Sequence, residues 1–315
     1  MNRQSEPNRM VEAVLEGDRR ALARVISVVE NGSPHAAAVL AGVFPHTGAG
    51  YRVGLTGAPG SGKSTLVDQL IPRVRAGGHQ VAVLAVDPSS PFSGGAVLGD
   101  RVRMQDHVSD PGVYVRSMAS RGHLGGLSGA TPKALTILDA AGFPYLLIET
   151  VGVGQDEVEI VEVADTTVVV VNPGWGDSIQ AAKAGLLEIA DVFVVNKADR
   201  PGTEEAVADL KQMLALGEDR PWDPPIVTTV AVSGEGIDQA WDAVLTHRRY
   251  LEESGTLGER RRRRLTKELE AALMDALRRR ARDAAGGERF AEITADVADR
   301  KLDPWSGAEL LLDGG

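Results

Sequence analysis

The chain has 315 residues, 44 acidic and 34 basic, which leaves a formal net charge of −10. That balance argues against a nucleic-acid partner, while a hydrophobic content of 43% is ample for a core. No cysteine is present, so disulfides, thiolate zinc sites and cysteine nucleophiles are excluded. The first residues, Met1 to Pro7, carry no apolar signal region. No stretch of about 18 uncharged apolar residues could span a membrane. A soluble, cytoplasmic protein is expected.

Residues 9–44 read as a helical prelude. Val11, Val14 and Leu15 form one apolar stripe, and Leu22, Val25, Ile26 and Val29 form another with the 3.6-residue period of a helix. Gly17-Asp18 separates the two, Asn31-Gly32 stops the second, and Ser33-Pro34 has the form of an N-cap followed by proline. A structural role is the simpler reading, with partner contact the alternative.

From residue 51 strands and helices alternate. Tyr51–Leu55, Val81–Val86, Tyr145–Ile148, Thr166–Val171, Val192–Val195 and Ile226–Val230 are short β-branched runs, most of them apolar throughout. Such runs suit a parallel sheet covered by helices on both faces. Helices are expected at 64–76, 131–141, 178–190 and 203–216, then over Trp241–Glu253 and from near Leu257. The fold class is therefore α/β, a doubly wound, mainly parallel sheet with ligand loops at the carboxyl ends of its strands. We divide the chain into a helical N-terminal segment (1–48), a phosphate-loop domain (49–254) and a helical C-terminal extension (255–315). Leu265, Leu269, Leu273 and Leu277 give that extension an apolar stripe suited to dimerisation. Arg260–Arg264 read as a solvated helical face paired with Glu268 and Glu270, with an acidic or nucleic-acid partner as the alternative. In the last segment, Phe290–Leu312, Ser306 is placed to cap a final helix.

The strand at residue 51 runs into Gly57, Ala58, Pro59, Gly60, Ser61, Gly62, Lys63, Ser64 and Thr65, a complete phosphate-binding loop between strand and helix. Its glycines let successive N–H groups converge on one anion, and the helix that follows adds its positive end. Lys63 is placed to reach the β- and γ-phosphates, and Ser64 to ligate Mg²⁺. After a later strand come Asn196, Lys197, Ala198 and Asp199. A carboxylate there accepts from the N1–H and exocyclic amine of guanine, groups adenine lacks on that edge, so GTP and GDP are expected. The Lys197 stem can cover the base, Asn196 ties loops together, and the backbone N–H of Ala231 is the candidate contact for guanine O6.

Glu149-Thr150-Val151-Gly152 occupies the place where a common GTPase has Asp-x-x-Gly. Glu149 can orient a Mg²⁺-bound water, and the Gly152 N–H can sense the γ-phosphate. Asp87, at a strand end, is a second metal candidate. Asp100, in a glycine-rich loop, is either a third or a loop solubiliser. Val153 stands where a Ras-like enzyme has its water-positioning glutamine, which predicts slow intrinsic hydrolysis.

Taken with Val86–Gly95, Leu98–Met104, Ser120–Gly126, Glu149–Gln155 and Glu188–Arg200, these motifs resemble the methylmalonyl-CoA mutase-associated GTPases of the MeaB/ArgK type. The resemblance implies a homodimeric GTPase that acts as chaperone for an adenosylcobalamin-dependent acyl-CoA mutase. It implies Mg²⁺ coordination around Ser64, Asp87, Asp100 and Glu149. It also implies a switch over Asn172–Lys183, in which Gln180 and Lys183 approach the nucleotide when the mutase binds. Without the resemblance, Lys183 reads as an exposed helix lysine. Ser178 departs from the acidic residue of many members, and Trp175 is a candidate partner anchor. A metallochaperone for nickel or cobalt shares this branch of the fold but usually displays Cys/His clusters; here the six histidines are scattered. A protein kinase of the ArgK type is the other alternative, although no kinase catalytic-loop signature occurs.

Overall fold

A computed structural model describes residues 5–87, 107, 109–119, 129–150, 159–174, 185, 188–216, 220–285 and 288–312. The chain forms two compact units, Met1–Arg260 and Arg261–Gly315.

The first unit is built on seven parallel strands: β1 (Tyr51–Thr56), β2 (Val81–Asp87), β3 (Val113–Ala119), β4 (Tyr145–Thr150), β5 (Thr166–Val171), β6 (Val192–Asn196) and β7 (Ile226–Thr229). Their spatial order is β3-β2-β4-β1-β5-β6-β7. β1 lies near the middle, between β4 and β5, where the winding reverses; a crevice opens at the carboxyl ends of the strands at such a point. The uniformly apolar runs have a direct cause. Along β2, Val81 and Val83 enter one core while Ala82, Leu84 and Val86 enter another, so both faces of the sheet are buried.

One face is covered by α4 (Lys63–Ala76), through Leu66, Val67, Leu70, Ile71 and Val74, and by α8 (Ile237–Glu253) through Ile237, Trp241 and Val244. The other receives the N-terminal helices α1 (Ser5–Leu15), α2 (Arg19–Glu30) and α3 (Ala36–Val43), together with α5 (Thr131–Ala140). A four-residue helix, α6 (Ile160–Val163), precedes β5, and α7 (Thr203–Ala215) packs Ala206 and Leu210 against Phe193 and Val195. The apolar stripes read from the prelude are the buried ones: Val14, Leu22, Val25, Ile26 and Val29 are all sequestered. Asp18 caps α2 by accepting from the N–H groups of Arg20 and Ala21. Ser33 does not cap α3, whose N-cap is His35; the Ser33 hydroxyl accepts from His35 N–H instead.

β3 is the strand that the run of apolar residues does not announce. Its middle holds Arg116 and Ser117, because it is an edge strand with one side open to polar partners. Arg116 reaches Glu30 at 2.8 Å and Ser27 at 2.9 Å on α2. Arg19 of the same helix donates to the carbonyls of Asp110 and Val113. Arg116, on the same face of β3 as Tyr114 and Met118, thus ties this strand to the N-terminal helices that cover that face.

At the amino ends of the strands lies a buried polar chain. Tyr51 Oη and Thr166 Oγ1 are 2.5 Å apart, and Thr166 Oγ1 is 2.9 Å from His247 Nδ1. His247 Nε2 stands 3.2 Å from Asp191 Oδ1, an electrostatic contact whose alignment is too poor for a hydrogen bond. Asp191 also accepts two bonds of 2.9 Å from Arg260, in the second turn of α9 (Thr256–Ala285), and one of 2.8 Å from the Thr167 N–H. Arg260 is therefore not part of a solvated arginine face; its guanidinium fork is matched to a carboxylate that closes the gap between β5 and β6. Burial pushes the His247 imidazole down to about 4 and pushes the Tyr51 phenol up.

In the second unit Leu265, Leu269, Leu273, Met274 and Leu277 are exposed along α9. The expected last segment is two helices, α10 (Glu288–Ala298) and α11 (Pro304–Leu312). Asp303, rather than Ser306, caps α11: its Oδ1 accepts from the N–H groups of Trp305 and Ser306, both at 3.0 Å.

Candidate nucleotide-binding site

β1 delivers residues 57–62 to the carboxyl end of the sheet, and α4 begins at Lys63. Two glycines are required by their surroundings. A Cβ on Gly57 would lie 2.0 Å from the Val170 carbonyl oxygen, and one on Gly62 would lie 2.2 Å from Asn196 Nδ2. Both also have positive φ, 135° and 97°. The loop can therefore hug β5 and β6 only with these residues bare. Gly57 and Ser61 are buried, Ala58 is half-buried, and Pro59 and Gly60 are exposed at the tip.

Lys63 is 6% exposed, and its ammonium donates to Gly57 O at 2.6 Å and Ala58 O at 3.0 Å. A buried cation is tolerated only with such acceptors. Next to it, half-buried Ser64 meets Glu149 Oε1 at 2.5 Å, with Glu149 only 2% exposed at the end of β4. Thr65 follows in the first turn of α4 and is half-buried.

The segment Asn196–Asp199 is joined to this loop by two side chains. Asn196, 2% exposed, donates from Nδ2 to Ser61 O at 2.8 Å. Its Oδ1 accepts from Thr229 Oγ1 and from the Ala231 N–H, both at 3.1 Å. Thr229 was not among the residues expected from sequence. The available signal was its register opposite Asn196 on β7, which needs the sheet order to be known. Lys197 takes a left-handed conformation with φ 61° and lays its stem back so that Nζ donates to Gly60 O at 2.6 Å. Asp199 is exposed, two residues further on.

The metal candidates divide. Ser64 and Glu149 meet directly. Asp87 closes β2, two positions beyond Ala85, the register partner of Glu149 on the adjacent strand. Among the described residues no cluster of three His, Asp or Glu side chains is assembled. The hydroxyl and carboxylate that do converge are hard oxygen donors, a set that suits Mg²⁺ supplemented by phosphate and water. Asp100, Gly152, Val153, Trp175, Gln180 and Lys183 lie outside the described residues, as does most of the helix expected at 178–190.

A phosphate loop after a central strand, a lysine held at its rim and an asparagine-linked base segment describe a P-loop nucleotide site. Comparison with known sequences narrows this. Residues 22–286 match the family described as "Methylmalonyl Co-A mutase-associated GTPase MeaB". The chain belongs to this family. A protein of Pyrococcus horikoshii is 48% identical over 308 residues, covering 96% of each chain. GTPase ArgK of Escherichia coli is 37% identical over 256 residues, covering 78% of this chain and 77% of that one. Among solved structures, a LAO/AO transport system kinase superposes with a TM-score of 0.72 at 26% identity, covering 99% of this chain and 98% of that one. Family membership carries guanine-nucleotide binding, and the phosphate loop, parallel sheet and flanking helices follow the P-loop GTPase architecture. Among the described residues no helix is long and apolar enough to cross a membrane.

Proposed function

We propose that this protein hydrolyses GTP slowly on its own and faster when an adenosylcobalamin-dependent acyl-CoA mutase binds it, methylmalonyl-CoA mutase being the first candidate. Its nucleotide cycle would then serve cofactor loading and protection of that mutase. The observation that carries the reading is the family match over residues 22–286. The Asn196 junction between phosphate and base segments supports its nucleotide half.

Lys63 would exchange the Gly57 and Ala58 carbonyls for β- and γ-phosphate oxygens, moving its charge onto the group being transferred. Backbone N–H groups of residues 60–64 would hold the β-phosphate at the amino end of α4. Ser64 and Glu149, with Asp87 and Asp100, would hold Mg²⁺, which when bound supplies further positive charge beside the phosphates. Asp199 would accept from the N1–H and exocyclic amine of guanine. Val153, where a water-orienting glutamine would serve, supports the slow basal rate; Gln180 and Lys183 would complete the site only with the mutase present. A charge supplied in trans accelerates the best-known GTPases by about 10³–10⁵, which bounds the stimulation. The exposed leucines of α9 support a homodimer.

Phosphate release with and without each purified acyl-CoA mutase tests the reading. Stimulation that Lys183→Ala abolishes, with the basal rate retained, is expected. An unchanged rate with every such mutase, or radiolabelled γ-phosphate passing to protein instead of water, would overturn it.

A further inference from the structure

Two basic side chains converge on one oxygen of Asp191. Arg260 Nη2 donates to Oδ1 at 2.9 Å while its Nη1 donates to Oδ2 at 2.9 Å and to the Asp165 carbonyl at 3.1 Å. His247 Nε2 stands 3.2 Å from that same Oδ1. The imidazole is fully buried, and its Nε2 makes no hydrogen bond. Nδ1 is held at 2.9 Å from Thr166 Oγ1, which is tied in turn to Tyr51. The charged groups acting on the ring are Asp191, just ahead of β6, Asp165, just ahead of β5, and Arg260 in the second turn of α9. Trp222 and Tyr250 lie against it, with ring centroids 4.9 and 6.2 Å away. Arg248, the next residue, lies over the Tyr51 ring instead, 4.9 Å from its centroid.

Burial and the charge of Arg260 keep this imidazole neutral, against the pull of Asp191 and Asp165. Both influences depend on Arg260 staying in place. Its withdrawal removes a like charge, lets water reach the ring and strips Asp191 of its counter-ion. All three changes favour the imidazolium. We propose that the cluster is a proton-linked latch on the amino end of α9: when Arg260 leaves Asp191, His247 takes a proton from solvent and becomes that carboxylate's counter-ion. The imidazolium has an N–H on each nitrogen, one for Thr166 Oγ1 and one for Asp191 Oδ1. The released state binds one proton more than the latched state. Between the ordinary 6.5 and about 4, its population therefore rises about tenfold for each pH unit of acidification. Any event that lifts the start of α9 from the sheet inherits this dependence.

NMR titration of the full chain with labelled histidine reads the proton directly, and His247→Gln assigns the resonance. The His247 midpoint should lie at least about one pH unit higher in Arg260→Gln than in the native chain. An unshifted midpoint would overturn the proposal. A second measurement leaves Arg260 untouched. In hydrogen exchange of the native chain, corrected for the intrinsic effect of pH, the peptide 256–264 should open about tenfold more at pH 5.5 than at pH 7.5. Strand β6 should not follow, and His247→Gln should abolish the difference. Equal opening at the two pH values, a matching rise in β6, or a pH effect that survives His247→Gln would each overturn the latch.

Discussion

Asn196 Nδ2 donates to the Ser61 carbonyl across 2.8 Å, joining segments 135 residues apart in the chain. The same amide accepts from Thr229 and Ala231, so three loops share one buried side chain. Asn196→Ala would leave a buried hydroxyl, an N–H and a carbonyl without this partner. Each such group costs about 1–3 kcal/mol, so unfolding free energy should fall by several kcal/mol in urea titrations. GDP affinity should fall more than tenfold even at saturating Mg²⁺. A variant with normal stability and GDP affinity would show that the junction is incidental.

Glu149→Gln keeps the shape of the side chain and can still accept from Ser64. It removes the negative charge that a divalent cation requires. The expected outcome is an unchanged GDP affinity in EDTA and a roughly tenfold higher Mg²⁺ concentration for half-maximal hydrolysis. Equal Mg²⁺ dependence in the two proteins would remove Glu149 from the metal set.

Arg260→Ala would strand Asp191, whose side chain is 8% exposed, with its charge under-compensated. Loss of one partner from such a pair costs about 3 kcal/mol, and the measured unfolding midpoint in urea should drop accordingly. Arg260→Lys should recover only part, because an ammonium cannot reproduce two parallel bonds. Full recovery by lysine would mean that charge, not the fork, is what Asp191 needs.

His247 predicts a pH dependence whose sign is fixed by burial. Its folded-state value is depressed to about 4 from an ordinary 6.5. Above pH 6.5 the imidazole is neutral in both states and nothing is lost. Between 6.5 and about 4 the unfolded chain takes up a proton that the folded one refuses, so stability declines on acidification. The contribution is on the order of 3 kcal/mol. Comparing unfolding free energies of the native protein and His247→Gln from pH 7.5 to 4.5 isolates it: the variant should show a shallower decline, and parallel curves would refute the assignment.

Much of this architecture was legible from residues alone, and the reasons are local. Five strands declared themselves because both faces are buried and most of their side chains are apolar, and β7, partly exposed at one edge, was still marked by its β-branched run. β3 did not, since an edge strand carrying Arg116 looks like a polar loop until Glu30 and Ser27 are seen opposite it. Lys63, Ser64 and Asn196, which the structure brings to one end of the sheet, stood out because phosphate-loop and Asn-Lys-x-Asp motifs place particular groups at fixed spacings. Thr229 did not, because cross-strand register leaves no signature in composition. Arg260 misled for the opposite reason: five consecutive arginines resemble one solvated face, and only the tertiary fold picks out the one that meets Asp191.

The ammonium groups of Lys63 and Lys197 hold three carbonyls of the phosphate loop, those of Gly57, Ala58 and Gly60. Their consequence is kinetic. A loop already braced by its own lysines has little backbone ordering left to do when an anion arrives, so the step that remains is the release of those ammonium groups from their carbonyls.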